Sequence, residues 1–216
     1  MCFELIQGEG GYYPGTHAYF SQLMTVLKEN QIAVIVDEIQ TFGRTPSLFA
    51  FQEFGLQDYV DIVTVGKLTQ VCATLFRSEF KPKPGLISQT FTGSSTAIAA
   101  GLTILNSLNN NGYKGPGGKI EVLGTYFREG LHKLTHKHPT KISGPFGMGL
   151  MVACTILGGD KDLSTSFVKK LYENGVLSFT AGASPMRVRF LPPIGSVTTE
   201  DIDCVLALIE TTLNQF

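Results

Sequence analysis

Ile32-Ala33-Val34-Ile35-Val36, which stops at Asp37-Glu38, and Val60-Asp61-Ile62-Val63-Thr64-Val65-Gly66, which stops at Lys67, decide how this chain folds. Both stretches are rich in β-branched residues, and neither alternates strictly between apolar and polar positions. That is the pattern of strands covered on both faces. In open parallel sheets, ligands bind in the crevice outside the carboxyl ends of the strands. If the two strands are neighbours, Asp37 and Lys67 stand at the same end of one sheet.

A lysine amine condenses with a carbonyl to make a Schiff base, and pyridoxal phosphate is held in that way with an acid on its pyridinium nitrogen. Lys67 and Asp37 are the residue types for these two roles. The pair alone does not separate that chemistry from an ordinary strand-end cap and a surface lysine. The wording around it does. Val36-Asp37-Glu38-Ile39-Gln40-Thr41-Phe42-Gly43-Arg44-Thr45, then Leu48-Phe49-Ala50-Phe51, then Asp61 to Lys67, resembles the class III aminotransferases, pyridoxal-phosphate enzymes of fold type I. The resemblance implies that Asp37 pairs with the cofactor's ring nitrogen, that Gln40 lies near its phenolic oxygen, and that Lys67 carries it as a Schiff base. The family usually has one more glycine between the positions of Thr41 and Phe42, so this loop is a residue shorter.

Composition is consistent with such an enzyme. The 216 residues suffice for a sizeable core, and the net charge of −1 with dispersed basic residues argues against a nucleic-acid or polybasic membrane surface. No apolar run reaches the roughly 18 residues of a spanning helix, and the amino terminus lacks the pattern of a signal peptide. Cys2, Cys72, Cys154 and Cys204 are far apart, without metal-ligand or disulfide spacing, so no metal is expected and a cytosolic (cytoplasmic) setting fits. His132, His136 and His138 lie among lysines with no acid nearby in sequence, and read as a solvated helix end.

In chain order, Met1 to Ile6 reads as a buried strand, and Gln7-Gly8-Glu9-Gly10-Gly11 as a glycine-rich turn that projects Glu9. The family carries a similar run, with Leu5 replacing the usual proline. In its ω-amino-acid members the glutamate matching Glu9 forms a switchable ion pair with a substrate-binding arginine. Residues 17–30 have helical apolar spacing and read as a crossover helix before the Asp37 strand. Residues 81–85, with lysine and proline alternating, read as an exposed loop. Ser88 to Thr96 is rich in hydroxyls and leads into a helix from Ala97 to Leu108, an arrangement that suits a phosphate or a plain N-cap equally. Here the resemblance implies that Thr90 reaches the cofactor phosphate of the partner subunit, although the usual Gly-Gly-Asn-Pro has become Thr92-Gly93-Ser94-Ser95.

Asn109-Asn110-Asn111-Gly112 and Gly115-Pro116-Gly117-Gly118 interrupt the helical pattern. We therefore expect a partial cofactor-binding large domain over residues 1–112, α/β with a mostly parallel sheet and covering helices, and a small α+β domain over residues 113–216. In the second part, residues 120–134, 163–174 and 200–214 read as helices, and residues 142–145, 150–157, 176–180 and 188–191 as strands. Alternation puts Arg187 and Arg189 on one face of the last strand, where a guanidinium can clamp a carboxylate through two parallel hydrogen bonds; an exposed edge strand would look the same. The family's Arg-Phe-x-Pro-Pro matches Arg189 to Pro193, which implies that Arg189 binds the substrate carboxylate.

The resemblance covers nearly the whole chain, but the family is about twice as long and draws its phosphate-cradling loop from an upstream half. The chain thus reads as the carboxyl-terminal half of an ω-amino-acid-type transaminase, a homodimer in its full form, acting on small amino-acid and 2-oxo-acid substrates. Lys67-Leu68-Thr69-Gln70-Val71-Cys72 resembles lysine 6-aminotransferases, while ornithine, acetylornithine and 4-aminobutyrate remain alternative donors. Aminomutase, racemase and decarboxylase chemistries keep the same lysine and aspartate. A non-catalytic remnant or dimerisation partner is a second reading. A P-loop ATPase is a third, and it fails on the phosphate loop: Gly115-Pro116-Gly117-Gly118-Lys119-Ile120 lacks the required hydroxyl and spacing.

Overall fold

Backbone pairing turns the two β-branched runs into neighbouring strands. The computed structural model describes residues 1–86 and 93–216. From the amino terminus come strands β1 (Cys2–Phe3), β2 (Ile6–Gln7) and β3 (Tyr13–Pro14), helix α1 (His17–Glu29), strand β4 (Ile35–Asp37), the one-turn helix α2 (Ala50–Glu53), and strands β5 (Ile62–Val65) and β6 (Ala73–Phe76). Helices α3 (Ser95–Asn110) and α4 (Lys119–Lys137) follow, then strands β7 (Ile142–Met148) and β8 (Met151–Ile156). Helix α5 (Lys161–Glu173), strands β9 (Phe179–Ala181) and β10 (Arg187–Phe190), and helix α6 (Thr199–Leu213) complete the chain. No helix among the described residues is long and apolar enough to cross a membrane.

The chain divides into two units, one of Met1–Leu5 with Gly15–Gly118, the other of Ile6–Pro14 with Lys119–Phe216. A linear division at residue 112 misses two features. Residues 113–118 stay with the first unit, where the Gly115 amide donates to the Pro46 carbonyl at 2.9 Å. Residues 6–14 join the second. The expected single buried strand from Met1 to Ile6 is accordingly two short strands in different units, with Cys2 exposed and Leu5 and Ile6 buried.

In the first unit the sheet runs in the order β1-β4-β5-β6, with β1, β4 and β5 parallel and β6 antiparallel to β5. Helix α1 starts where Thr16 caps the Tyr19 amide, and buries Phe20, Met24 and Leu27 at helical spacing. The Phe20 ring packs on Phe3 and Phe54, with centroids 5.9 and 5.0 Å away. The edge strand β6 is exposed along its length.

Glu38 fixes the loop after β4. Its side chain is fully buried, and it accepts from the Thr41 hydroxyl at 2.6 Å and from the Ala50 and Phe51 amides at 2.9 Å each. Burial pushes this carboxyl above its ordinary pKa; the three hydrogen bonds work against that shift and neighbouring Asp37 adds to it. One carboxylate thus ties the end of β4 to the start of α2.

The second unit is an antiparallel sheet in the order β7-β8-β10-β9. Strand β8 is buried throughout, and its Val152, Cys154 and Ile156 join Val188 and Phe190 of β10 in a core covered by Phe127 and Leu131, Phe167 and Leu171, and Ile202 and Ile209 from the three helices. Burial pushes the Cys154 thiol up to about 12, so it is an inert core group. Strand β10 lies between β8 and β9, so the edge-strand reading of Arg187 and Arg189 is corrected. His132 and His136 are exposed near the end of α4, as the solvated-helix-end reading expects, and only His138 departs from it: its Nε2 lies 2.7 Å from Glu210 of α6, an acid that sequence distance hides. Among the described residues, no group of His, Cys, Asp and Glu side chains is arranged to hold a metal ion.

Glu38→Gln leaves a single oxygen to face three donors. It should lower unfolding free energy by about 1–3 kcal/mol, the cost of a buried donor left unmatched. Thr41→Ala, which keeps both backbone donors on Glu38, should cost about 1 kcal/mol. Chemical denaturation of each variant against the parent measures both losses.

Candidate active site

Parallel register sets the first constellation. Asp37 ends β4 opposite Thr64 of β5, and the Glu38 amide donates to the Thr64 carbonyl at 2.9 Å. Lys67 follows Thr64 by three positions, past the end of β5, so both side chains arise at the carboxyl ends of adjacent parallel strands. This is the placement expected from the two sequence runs.

The lysine stands at a strained corner. Lys67 has φ of +49°, in the left-handed region, and opens a short 3-10 turn, Lys67–Thr69. Gly66 before it tolerates no larger residue without movement, since a Cβ would meet Ile39 Cδ1 at 2.9 Å and Cys72 Sγ at 3.1 Å. Helix α3 braces the turn from the other side. Gly101 lets the Thr69 carbonyl approach to where a Cβ would lie 2.7 Å from it, and the Thr69 hydroxyl donates to the Val71 carbonyl at 2.6 Å. The Lys67 side chain is exposed and makes no hydrogen bond or ion pair among the described residues.

Asp37 is half-buried. Its Oδ1 accepts from the Ile39 amide at 2.9 Å and the Thr64 hydroxyl at 3.3 Å, and no described residue donates to its Oδ2. The Gln40 carbonyl accepts from Arg44 Nη1 at 2.9 Å, which holds the loop beyond Asp37. Thr90 lies outside the described residues. Ser94, in the same hydroxyl-rich run, caps α3 through the Ala97 amide at 3.5 Å.

The second unit holds the other constellation. Strands β2 and β3 form a hairpin whose turn carries Glu9. Arg189 meets that glutamate in a bidentate pair, Nη1 to Oε1 at 2.8 Å and Nη2 to Oε2 at 2.9 Å. The Glu9 side chain is 68% exposed and that of Arg189 is 15% exposed, so the pair is partly screened by solvent. Arg187 points from the same face of β10 but behaves differently. It is buried between the rings of Tyr13 and Phe146, 3.6 and 3.5 Å from their centroids, and its Nη1 donates to the Gly11 carbonyl at 2.7 Å. Each desolvated ring contact contributes about 2 kcal/mol, which helps offset the cost of burying a cation.

Sequence reading paired Glu9 with an arginine through a resemblance, and the structure brings Glu9 and Arg189 together. It did not find the buried acceptor role of Glu38 or the ring clamp on Arg187. A charged residue directly after Asp37, pointing to the opposite face of a buried strand, is a signal for the first. No sequence signal joins Arg187 to Tyr13 and Phe146, which lie far away along the chain.

The family model described as Aminotransferase class-III matches residues 1–213. This chain belongs to that family. It is 34% identical over 223 aligned positions to an acetylornithine aminotransferase from Caldanaerobacter subterraneus subsp. tengcongensis, covering 100% of the chain and 53% of that relative. Among solved structures, the acetylornithine aminotransferase from Elizabethkingia anophelis matches with a TM-score of 0.84 at 28% identity, covering 100% of this chain and 54% of that one. The lysine aminotransferase from M. tuberculosis matches with a TM-score of 0.86 at 27% identity, covering 99% and 49%. The fold is therefore that of fold type I, and the chain spans about half the length of the relatives it matches.

Class-III aminotransferases are pyridoxal-phosphate dependent. The first unit fits that group: it offers an unpaired primary amine at Lys67 for the aldehyde, and a carboxylate at Asp37 whose Oδ2 is open to a ring N–H. Incubation with pyridoxal phosphate followed by borohydride reduction and peptide mapping should place the label on the Lys67 peptide and nowhere else. Lys67→Ala should remove it, and a label on another lysine would reject the assignment.

Proposed function

We propose that this chain belongs to a pyridoxal-phosphate-dependent transaminase that moves an amino group from an ω-amino acid to 2-oxoglutarate. Its donor class is that of lysine, ornithine, acetylornithine and 4-aminobutyrate. The observation that carries the reading is the bidentate Glu9–Arg189 pair. An enzyme of this kind must accept one substrate by its terminal amine and another by its α-carboxylate. A carboxylate clamp that can be neutralised from within the protein serves both.

When bound, the cofactor would supply an electron sink for the substrate carbon that loses its proton. Lys67 would hold the cofactor through its side-chain amine, and the same exposed amine on its short turn would serve as the base that takes up and returns the substrate proton. Asp37 keeps a proton at the ring nitrogen. Gln40 is assigned to the phenolic oxygen and Thr90 to the phosphate, on the family pattern.

Arg189 is assigned to the substrate carboxylate. With a donor that offers no α-carboxylate to it, Glu9 stays on the guanidinium and no buried charge is left unmatched. When 2-oxoglutarate or glutamate binds, its carboxylate replaces that of Glu9, which turns to solvent at little cost because it is already largely exposed. The donor class agrees with relatives named for acetylornithine and lysine. The run Lys67-Leu68-Thr69-Gln70-Val71-Cys72 favours lysine among the donors.

In the full chain with cofactor, Glu9→Ala should reduce kcat/KM of the ω-amine half-reaction by about tenfold, corresponding to about 1.4 kcal/mol, and change the glutamate half-reaction by less than threefold. Single-turnover absorbance measurements of each half-reaction read this split, and equal losses in both would remove the switch.

A further inference from the structure

Backbone carbonyls of the turn that presents Glu9 are held by groups from outside it. The Gly8 carbonyl accepts from Arg189 Nη1 at 3.3 Å, the Glu9 carbonyl from the Gly182 amide at 2.8 Å, and the Gly11 carbonyl from Arg187 Nη1 at 2.7 Å. Only the last comes from a side chain with no ligand of its own in the function proposed above. Arg187 is 5% exposed, has no carboxylate within ion-pair distance among the described residues, and buries an Nε with no hydrogen-bond partner there. A cation in that position contributes no ion pair. What it does is join the hairpin to the sheet: one face of the guanidinium lies on Tyr13 of β3, the other on Phe146 of β7, and its edge donates into the turn. Gly11, at φ of +111°, allows this approach, since a Cβ there would stand 3.3 Å from Arg187 Cδ.

We propose that Arg187 is a positioning residue for Glu9: stacked between Tyr13 and Phe146 and bonded to the Gly11 carbonyl, it holds the turn in the form that presents the Glu9 carboxylate to Arg189. The inference rests on the reading of Arg189 as a carboxylate clamp. An exposed glutamate on a free five-residue turn would lose much of its pairing to conformational freedom. A turn held in place loses less, so Glu9 competes better with an incoming carboxylate. Arg187 thereby sets how far the clamp is closed when no substrate carboxylate is present.

The two ways in which Arg187 can act on an anion at Arg189 have opposite signs. As a nearby positive charge or a direct ligand it would favour the anion, and its removal would weaken binding. As a holder of Glu9 it disfavours the anion, and its removal strengthens binding. Glutarate, a dicarboxylate with neither amine nor keto group, separates them. In the full chain, calorimetric titration with glutarate should show about tenfold tighter binding for Glu9→Ala and about threefold tighter binding for Arg187→Met. Arg187→Met in the Glu9→Ala background should change binding by less than 1.5-fold. Hydrogen exchange should also be faster for the amides of residues 8–13 in Arg187→Met and unchanged elsewhere in the unit.

Weaker glutarate binding by Arg187→Met, or the same change with and without Glu9, overturns the proposal. Should Arg187→Met fail to fold, Arg187→Lys is measured instead. It keeps the charge but loses the planar stack, and is expected to show the same Glu9-dependent tightening; parent-like affinity would overturn the proposal. Glutarate binding that survives Arg189→Ala would remove the clamp reading and this inference with it. An absence of transamination alongside an intact glutarate cycle would remove the proposed reaction and leave the role of Arg187 standing.

Discussion

The parallel ladder between Ile35–Asp37 and Ile62–Val65 is the constraint on which the first unit depends. Parallel pairing brings the carboxyl ends of two strands to one place, and whatever residue types stand there become neighbours. Asp37 and Lys67 stand there. An antiparallel pairing of the same two runs would have put them at opposite ends of the sheet. Each backbone hydrogen bond contributes only about 1 kcal/mol net, so the register comes from the ladder as a whole together with burial of Val34, Val36, Val63 and Val65.

Around that ladder, polar groups are used to fix loops. Glu38 gathers three donors at the end of β4, the Thr69 hydroxyl closes the turn beyond Lys67, and Gly101 brings α3 against the same turn. The left-handed corner at Lys67 persists because these neighbours over-determine it. The Lys67 amine is left exposed on a braced backbone.

The second unit solves a different problem with charge. Two arginines two positions apart on β10 point to the same face, yet one is partly exposed and paired, and the other is buried and stacked. Their difference follows from what lies opposite each in the sheet and the hairpin. Arg187 meets aromatic faces and a carbonyl, so it is committed to structure. Arg189 meets a largely solvated carboxylate, that of Glu9. The likeness to class-III aminotransferases places the chain in its family, and this contrast gives the proposed donor class its physical content.

Much of this was legible in the sequence, for reasons that lie in local chemistry. The β-branched runs before Asp37 and Lys67 specify strands, the apolar spacing of Phe20, Met24 and Leu27 specifies the face of α1, and period two puts Arg187 and Arg189 on one side of β10. What remained hidden is long-range. Nothing near Met1 shows that the chain leaves one sheet after Phe3 and enters another unit at Ile6, since a short apolar run reads the same whether or not it is broken. Nothing near His138 shows Glu210, and nothing near Arg187 shows Tyr13 or Phe146. Sequence by itself determined which residue types end the strands and which faces are apolar, because those depend on neighbours a few positions away. Only the tertiary structure decided which charges are buried, which are paired and which remain open to a ligand, because burial and pairing depend on residues that the fold alone brings together.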